Sequence, residues 1–469
     1  MQKNDTKILI VSLLITVGLI GAIFSLFKNQ ILPGNSLKSD QHNSTKSSEG
    51  LEATKSLGAI ILVTADTTAQ KQAGVEAFFK TDFPEAAKQF QDSLRVNPND
   101  PETLIYLNNA ISANKNPLKI AVVVPIGGKL NVAKEILRGV AQAQNEIINQ
   151  KGGINGKGLQ VLIVNDSNNT DAAIQAANTL VKDSSIMAVI GHNSSNATLA
   201  AAPIYQQGQL VMVSPTAKAN KIAELGDYIF RTVFSTRLEA NTLANYVVKT
   251  AKKTNILACY DSQDENSKSF QEDVTLAVAI EGGKLSAVNC DFSAANFNPD
   301  AIVSQAISNG ADSLLLNPSV NRLTPAFEMA KANQEKLSLF GTSTLYTFET
   351  LKEGQSNVKA MVLTVSWHPD AFVGNSFSQK AKKLWGGTVN WRTANAYDAT
   401  EAIVAGLQKG GLSRQQLQQT LSKPGFATEG SSGKVEFLPS GDRLGTPILV
   451  QIKPDAKAET GFTFVPIKP

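Results

Sequence analysis

The chain has 469 residues, which is too long for one typical domain. Of these residues 42% are hydrophobic and 18% are charged, a composition that is ordinary for globular proteins. Its 44 basic and 40 acidic residues leave a formal net charge of +4, which gives no dense basic face for nucleic acid. His42, His192 and His368 form no cluster with the two cysteines, so we expect no metal site and no cofactor.

The first predicted element is a helix over residues 8–27, an apolar run that no charged residue interrupts. At about 1.5 Å per residue such a helix reaches roughly 30 Å, the thickness of a hydrocarbon core. Lys3 and Lys7 precede it and favour a cytoplasmic N-terminus, and no Ala-x-Ala pattern follows Phe27. We therefore expect a cytoplasmic stub and membrane anchor over residues 1–28, the alternative being a cleaved signal. Both place the rest of the chain in the periplasm.

A polar linker over residues 29–56 precedes a predicted helical segment over residues 57–116. Gly74 falls where two helices would need close approach, and apolar residues recur at helical spacing, namely Phe78, Phe79, Phe83, Ala86, Phe90 and Leu94. The segment resembles about one and a half tetratricopeptide repeats, too few to bury their own faces, so we expect it to pack on another surface. It serves as a helical spacer or as a module that docks a partner.

From Leu118 onward, β-branched apolar runs alternate with helical stretches, which predicts mostly parallel sheets. Strands are expected at 119–124, 159–164, 187–190 and 210–213, and again at 255–259, 284–289, 312–316, 337–340 and 359–365. One open sheet of that width would be unusual, so the predicted fold class is α/β with two lobes. The first lobe is expected over residues 118–237 and 366–423, and the second over residues 238–365 and 424–469.

Several motifs carry a family resemblance, among them Lys151-Gly152-Gly153-Ile154-Asn155-Gly156, Ile190-Gly191-His192-Asn193-Ser194-Ser195, Tyr228-Ile229-Phe230-Arg231-Thr232 and Ala396-Tyr397-Asp398-Ala399. From residue 118 to about 452 the chain resembles the type I periplasmic binding proteins of the branched-chain amino acid transport family. The resemblance implies two doubly wound parallel sheets joined by a hinge. It also implies a receptor that closes on a small polar ligand, an amino acid, amide or small organic acid, and delivers it to the permease subunits of an ABC importer.

A second function is compatible with the same fold. Some envelope regulators, such as activators of peptidoglycan synthases, join tetratricopeptide-like helices to a type I binding-protein body. An enzyme is not expected, because the sequence has no phosphate-binding Gly-rich loop with Lys-Ser/Thr and no Gly-x-Ser-x-Gly elbow.

The candidate ligand residues of the first lobe are Ser194, Ser195, Thr216 and Lys218, which follow two predicted strands. Open parallel sheets bind ligands outside the carboxyl ends of their strands. The serine hydroxyls and the free amides of a helix start suit an anion such as a carboxylate, although Ser194 or Ser195 could merely cap the helix. The family resemblance implies that Thr216 and Lys218 contact the charged end of the ligand.

The resemblance places three further ligand positions, in the second lobe, on Glu265, Ser319 and Ser343. The family usually has aromatic residues at the first two and an ammonium-binding glutamate at the third. With a serine in that place and Lys218 adding positive charge, we expect an anionic or neutral polar ligand. An acid of the loop 261–265 is the alternative partner for an ammonium group.

The two cysteines, Cys259 and Cys290, end neighbouring predicted strands of the second lobe. Neighbouring strands lie about 4.8 Å apart, so we expect the two side chains to be close together. An exported protein can form a disulfide there, and two separate buried thiols are the alternative.

Overall fold

The computed structural model describes residues 54–372 and 374–468. The strands are β1 Lys55–Ser56, β2 Leu118–Val124, β3 Leu159–Asn165, β4 Ile186–Ile190, β5 Val211–Ser214, β6 Ile229–Arg231, β7 Asn255–Tyr260, β8 Lys284–Leu285, β9 Ser313–Asn317, β10 Ser338–Gly341, β11 Val362–Val365, β12 Ala427–Gly430, β13 Gly433–Glu436, β14 Ile448–Pro454 and β15 Phe462–Pro466. The α-helices are α1 Ala69–Phe79, α2 Phe83–Val96, α3 Pro101–Ser112, α4 Leu130–Asn149, α5 Thr170–Lys182, α6 Ser195–Gln207, α7 Thr236–Asn245, α8 Glu265–Ile280, α9 Pro299–Ser308, α10 Leu323–Asn333, α11 Phe348–Gly354, α12 Phe377–Trp385, α13 Trp391–Gly410 and α14 Arg414–Leu421.

The membrane anchor expected over residues 1–28 lies outside the described residues, as does most of the linker expected over residues 29–56. Among the helices that the structure does describe, none combines the length and the apolar character needed to cross a membrane.

Two separate large sheets form the two lobes, beside a two-stranded sheet of β12 and β13, so the predicted two-lobe α/β fold is confirmed. The first sheet has the order β1-β3-β2-β4-β5-β6, in which β1 is antiparallel and the other strands are parallel. The second has the order β8-β7-β9-β10-β11-β14-β15, in which β14 and β15 are antiparallel additions. The central strands are buried on both faces, which explains why their sequences are continuously apolar and do not alternate.

One predicted strand is shorter than expected, because β8 stops at Leu285 and does not continue to residue 289. The Ser286 hydroxyl accepts a hydrogen bond from the Val288 amide at 3.4 Å, a local bond that competes with regular strand pairing. The chain then returns to the sheet at Cys290. This cysteine is bonded to Cys259 of β7 in a disulfide with a Cα–Cα distance of 4.5 Å, so the bonded alternative is the one that the structure adopts.

Within the described ranges the chain passes between the two lobes after β6, after β11 and before β14. After the second passage, α13 packs along α4 of the first lobe. In the third passage, Arg443 Nη1 donates to the Asp398 carboxylate of α13 at 2.6 Å. Strands β14 and β15 then complete the second sheet. The lobe boundaries expected at residues 237, 365 and 423 stay predictions.

The helical segment before Leu118 packs on the first lobe, as expected for a segment too short to bury its own faces. Helix α3 is buried against α4 and β3, and Asn109 of α3 pairs with both the amide and the carbonyl of Val161 at 2.8 Å. The close approach of α1 and α2 at Gly74 is also confirmed, since a Cβ atom there would lie 2.6 Å from the Phe90 ring. The likeness to tetratricopeptide repeats stays a prediction.

A buried ion cluster joins the helices of this segment. Lys71 Nζ of α1 lies 2.8 Å from an Asp100 oxygen and 2.7 Å from a Glu102 oxygen, and all three side chains are buried. Burial lowers the pKa of Lys71, but the charges of Glu102 and Asp100 together outweigh burial and raise the pKa above its usual value. Glu102 also accepts hydrogen bonds from the amides of Leu62 and Val63, which fixes the loop before α1.

We predict that Lys71→Met lowers the free energy of unfolding by about 3–5 kcal/mol, because it leaves two buried carboxylates without their counter-charge. Denaturant unfolding followed by circular dichroism measures the change. The control is Lys88→Met in α2, whose side chain is 66% exposed, and that change is expected to stay within about 0.5 kcal/mol. Equal stabilities for the two variants would contradict a structural role for the cluster.

Candidate functional site

Each sheet has a topological switch point, at β2 and β4 in the first lobe and at β7 and β9 in the second. Such points leave a crevice outside the carboxyl ends of the strands, which is where open α/β sheets bind ligands. A cavity of about 40 Å³ lies where these ends meet. The first lobe contributes Asn193, Ser194, Ser195, Thr216 and Lys218, the second contributes Asp264, Asn266, Ser319, Val320 and Thr344, and the start of α13 adds Trp391 and Arg392.

The start of α6 offers hydrogen-bond donors to this cavity. Ser194 is the N-cap and its hydroxyl accepts from the Ala197 amide at 3.2 Å, so the capping role considered from the sequence is real for this residue. The Ser195 hydroxyl oxygen accepts from the amides of Lys218 and Ala219, each at 3.2 Å. These two bonds use only the oxygen, so the hydroxyl proton of Ser195 and the first amides of α6 remain able to bind an anion.

The Thr216 hydroxyl offers the cavity an acceptor, whereas the Ser195 hydroxyl offers it a donor. The Thr216 hydroxyl donates to the Asn193 carbonyl at 2.8 Å, so the oxygen is left as an acceptor. The first lobe therefore presents donors at Ser195 and an acceptor at Thr216 within one cavity.

Lys218 crosses the junction between the lobes. Its Nζ lies 2.8 Å from a Glu239 oxygen of α7 and 2.7 Å from the Ser343 hydroxyl, and the hydroxyl in turn donates to the other Glu239 oxygen at 3.0 Å. Glu239 and Ser343 are fully buried, and the Lys218 side chain is 3% exposed. Burial raises the pKa of Glu239, while the Lys218 charge and the hydrogen bonds from Lys218 and Ser343 act against that rise. The contact is a buried ion pair between two lobes.

Asp264 faces the cavity from the second lobe, one residue before the predicted Glu265. One of its oxygens caps α8 by accepting from the Ser267 amide at 2.8 Å. Burial raises the pKa of Asp264 to about 6, and the charges of Asp261 and Glu265 add to the rise while that of Lys218 opposes it. This carboxyl group therefore changes charge close to neutral pH.

The seven predicted site residues have different places. Ser194, Ser195, Thr216, Lys218 and Ser319 line the cavity. Ser343 does not line it and contacts the Lys218 ammonium group. Glu265 does not line it either, since its carboxylate pairs with Lys221 at 3.4 Å and with Lys268. Which of them bind a ligand stays a prediction.

Five polar or aromatic residues at the site were not predicted from the sequence, namely Glu239, Asn266, Thr344, Trp391 and Arg392. The guanidinium group of Arg392 lies 4.6 Å from the Trp391 ring centroid and 3.2 Å from a Glu135 oxygen. Burial lowers the pKa of Arg392, and the Glu135 charge opposes this. The sequence offers one signal for the Trp391 and Arg392 pair. Asn390, a residue type that often caps helices, directly precedes them and starts a helix of 20 residues.

His192 does not take part in the cavity, although it is next to Ser194 in the sequence. Its ring is fully buried, with Nδ1 2.6 Å from an Asp166 oxygen and Nε2 3.1 Å from the Tyr205 hydroxyl. Both ring nitrogens are engaged, so the histidine has no free nitrogen to activate a serine. The described residues also contain no group of three or more His, Cys, Asp or Glu side chains that could hold a metal ion.

A family model described as periplasmic binding protein matches residues 117–457. A leucine-, isoleucine-, valine-, threonine- and alanine-binding protein of Pseudomonas aeruginosa is 30% identical over 184 residues, 38% of this chain and 49% of that protein. A Leu/Ile/Val-binding protein of Escherichia coli is 32% identical over 162 residues, 34% of this chain and 43% of that protein. The matches thus span about half the length of these curated relatives.

Solved structures match over a larger part of the body. A leucine-binding protein from Thermotoga maritima has a TM-score of 0.66 at 18% identity, covering 75% of this chain and 99% of the other. A solute-binding protein from Rhodopseudomonas palustris, in complex with 3,4-dihydroxybenzoic acid, has a TM-score of 0.65 at 15% identity, covering 75% and 96%. At these identities the likeness shows the fold.

We predict that Glu239→Gln opens the lobes, because it leaves the Lys218 charge buried and unpaired at a cost to the closed form of about 3 kcal/mol or more. Spin labels on Asn131→Cys and Lys352→Cys, two exposed positions in different lobes, measure the separation, and both native cysteines are bonded. The interlobe distance is expected to lengthen and broaden.

The matched control is Glu265→Gln, which breaks the interlobe pair with Lys221, a surface lysine whose side chain is 71% exposed. Exposed pairs contribute little, so the distance distribution is expected to stay as in the unchanged protein. An unaltered distribution in Glu239→Gln would mean that other contacts hold the lobes together.

Proposed function

The chain belongs to the periplasmic binding protein family, and from this premise we propose that it is a type I member of the Leu/Ile/Val-binding branch and the solute receptor of an ABC importer. The lobes close on a small polar ligand and open to release it to permease subunits. In this proposal the segment at residues 8–27 anchors the chain, and the body is periplasmic. The curated relatives are binding proteins by description, and the proposal includes no catalytic step.

The observation that carries the proposal is the composition of the cavity, which combines polar groups from both lobes. Donors at the start of α6 face Asp264, Asn266 and Ser319 across the junction. A ligand that contacts both sides gains its full interaction energy only when the lobes are closed, and this difference is what couples binding to closure.

The first-lobe side of the cavity fits a carboxylate. The Ser195 hydroxyl and the first amides of α6 are donors without a complete set of partners, and the helix start adds a favourable dipole. Asn266, Ser319 and Thr344 supply neutral hydrogen-bonding groups on the other side. We therefore favour a small organic acid or an amide over a free branched-chain amino acid.

The regulator or scaffold function remains a second candidate, because the lobes meet through their own buried ion pair, which joins them without a ligand. Mass spectrometry of small molecules released from the purified chain distinguishes the two functions. A bound solute supports the receptor, whereas an empty cleft together with a co-purifying peptidoglycan synthase supports the regulator.

We predict that Ser195→Ala weakens binding of a small monocarboxylate about tenfold or more, since a hydrogen bond to a charged group is worth about 1.5–3 kcal/mol. Calorimetric titration of the full chain with small organic acids, amides and amino acids measures this. Ser413→Ala, a change at the N-cap of α14 away from the cavity, is the control and should bind as the unchanged protein does. Equal affinity in both variants would contradict the placement of the carboxylate.

We predict that affinity for such an anion rises, by up to about tenfold, as the pH falls from about 7.5 to about 5.5. The pKa of Asp264 is raised to about 6, so acidification protonates this carboxyl group and removes its repulsion of the ligand. Asp264→Asn should bind the anion with little pH dependence across the same range. Affinity that falls on acidification would instead indicate a ligand ammonium paired with Asp264.

A further inference from the structure

The protein itself fills a cation position in the junction between its lobes. The Glu239 carboxylate and the Ser343 hydroxyl converge on Lys218 Nζ at 2.8 Å and 2.7 Å, and the Trp391 ring centroid lies 5.9 Å from the same atom. A buried carboxylate, a hydroxyl oxygen and an aromatic ring are the groups that hold an ammonium ion in proteins.

We infer that Lys218 acts as a built-in substitute for the ammonium group of a ligand, so that the cleft selects solutes with a carboxylate and without a cationic amine. This inference rests on the proposed function as a solute receptor and names the class of solute. Lys218 is thereby a specificity-determining residue, and it also lines the cavity.

The balance of charge supports this assignment. Glu239 is paired with Lys218, and Arg392 is paired with Glu135, so each of these four ions has one partner of opposite sign, while the Asp264 carboxyl group accepts from the Ser267 amide. A second ammonium beside Glu239 would be an unmatched charge in a buried place, which costs several kcal/mol. A solute without an amine avoids this cost and still uses the donors at Ser195.

The space in the junction supports the assignment as well. One water molecule needs about 10–15 Å³, so a cavity of about 40 Å³ holds no more than a few waters while Lys218 is in place. Glu239 and Ser343 do not line this cavity, and the Lys218 side chain is the group that contacts both. Shortening Lys218 to alanine therefore opens the cavity towards Glu239 Oε2 and Ser343 Oγ, the two acceptors that lose the Lys218 ammonium group.

The test is calorimetric titration of the full chain, in a mild detergent, with alanine, ethylammonium and propionate as probes. Lys218→Ala is expected to bind alanine and ethylammonium at least about tenfold more tightly than the unchanged protein, since a hydrogen-bonded ammonium is worth about 1.5–3 kcal/mol. Lys218→Met removes the charge but fills the space, so it should show no gain. Adding Glu239→Gln to Lys218→Ala should abolish the gain.

Lys221→Ala is the control, because this neighbouring lysine is exposed and its change should leave all three affinities as they were. Thermal melting with and without ethylammonium shows whether Lys218→Ala is folded, and Lys218→Thr provides a second shortened side chain. A folded shortened variant that gains no affinity for either amine overturns the inference. So does an unchanged protein that binds alanine with an affinity that Lys218→Ala does not alter.

The inference and the proposed function fail differently. If the unchanged protein binds none of the solutes and Lys218→Ala binds alanine, the ammonium position of Lys218 is supported, whereas selection of a carboxylate solute and the receptor function are not. If the unchanged protein binds alanine and Lys218→Ala binds it equally, the receptor function is supported and the inference is overturned.

Discussion

The buried ion pair between Lys218 and Glu239 lies at the centre of the contact between the two lobes, beside the hydrogen bond from Trp391 Nε1 to the Ser343 carbonyl. Taking either ion out of water costs several kcal/mol, and only a partner of opposite charge in the right place offsets that cost. Lys218 follows a strand of the first lobe and Glu239 lies in the first helix of the second, so each lobe holds the partner that the other needs. Surface contacts such as Lys221–Glu265 also cross the junction, but water satisfies their charges in the open form as well.

Buried ion pairs also connect other parts of the molecule. Lys71 with Asp100 and Glu102 joins the helices of the N-terminal segment, and Arg443 with Asp398 joins the last interlobe passage to helix α13. In each case the paired groups come from chain segments far apart in sequence. The cores of the lobes, by contrast, consist mainly of apolar side chains. Burial of apolar surface therefore stabilises each lobe, and the buried ion pairs fix how the lobes and the N-terminal segment are positioned against one another.

Much of the fold could be read from the sequence because it follows local rules. Strands β2 to β5 lie within about two residues of their expected bounds, since a parallel strand buried on both faces has a continuous apolar sequence. Ser195 and Thr216 could be placed near the site because the carboxyl ends of parallel strands share one edge. The early end of β8 at Leu285 was not foreseen, because Ala287 and Val288 continue the apolar sequence of a strand although they do not pair as one.

The second-lobe side of the site was harder to predict for two physical reasons. Asp264 and Glu265 are adjacent at the start of α8, and a shift of one residue turns a side chain from the cavity to the surface. Glu239 and Trp391 reach the junction only through tertiary folding, so no local sequence pattern indicates that they belong to the site. A sequence also cannot show whether a lysine such as Lys218 is solvated or buried.

The contacts of strand β1 and helix α3 distinguish the first lobe from the second. Both are attached to the first lobe, β1 by hydrogen bonding along β3 and α3 by burial against β3 and α4. The described chain therefore begins in the first lobe. When the cleft opens, β1 and α3 therefore move as part of the first lobe and keep these contacts, whereas Lys218 loses its contacts with Glu239 and Ser343.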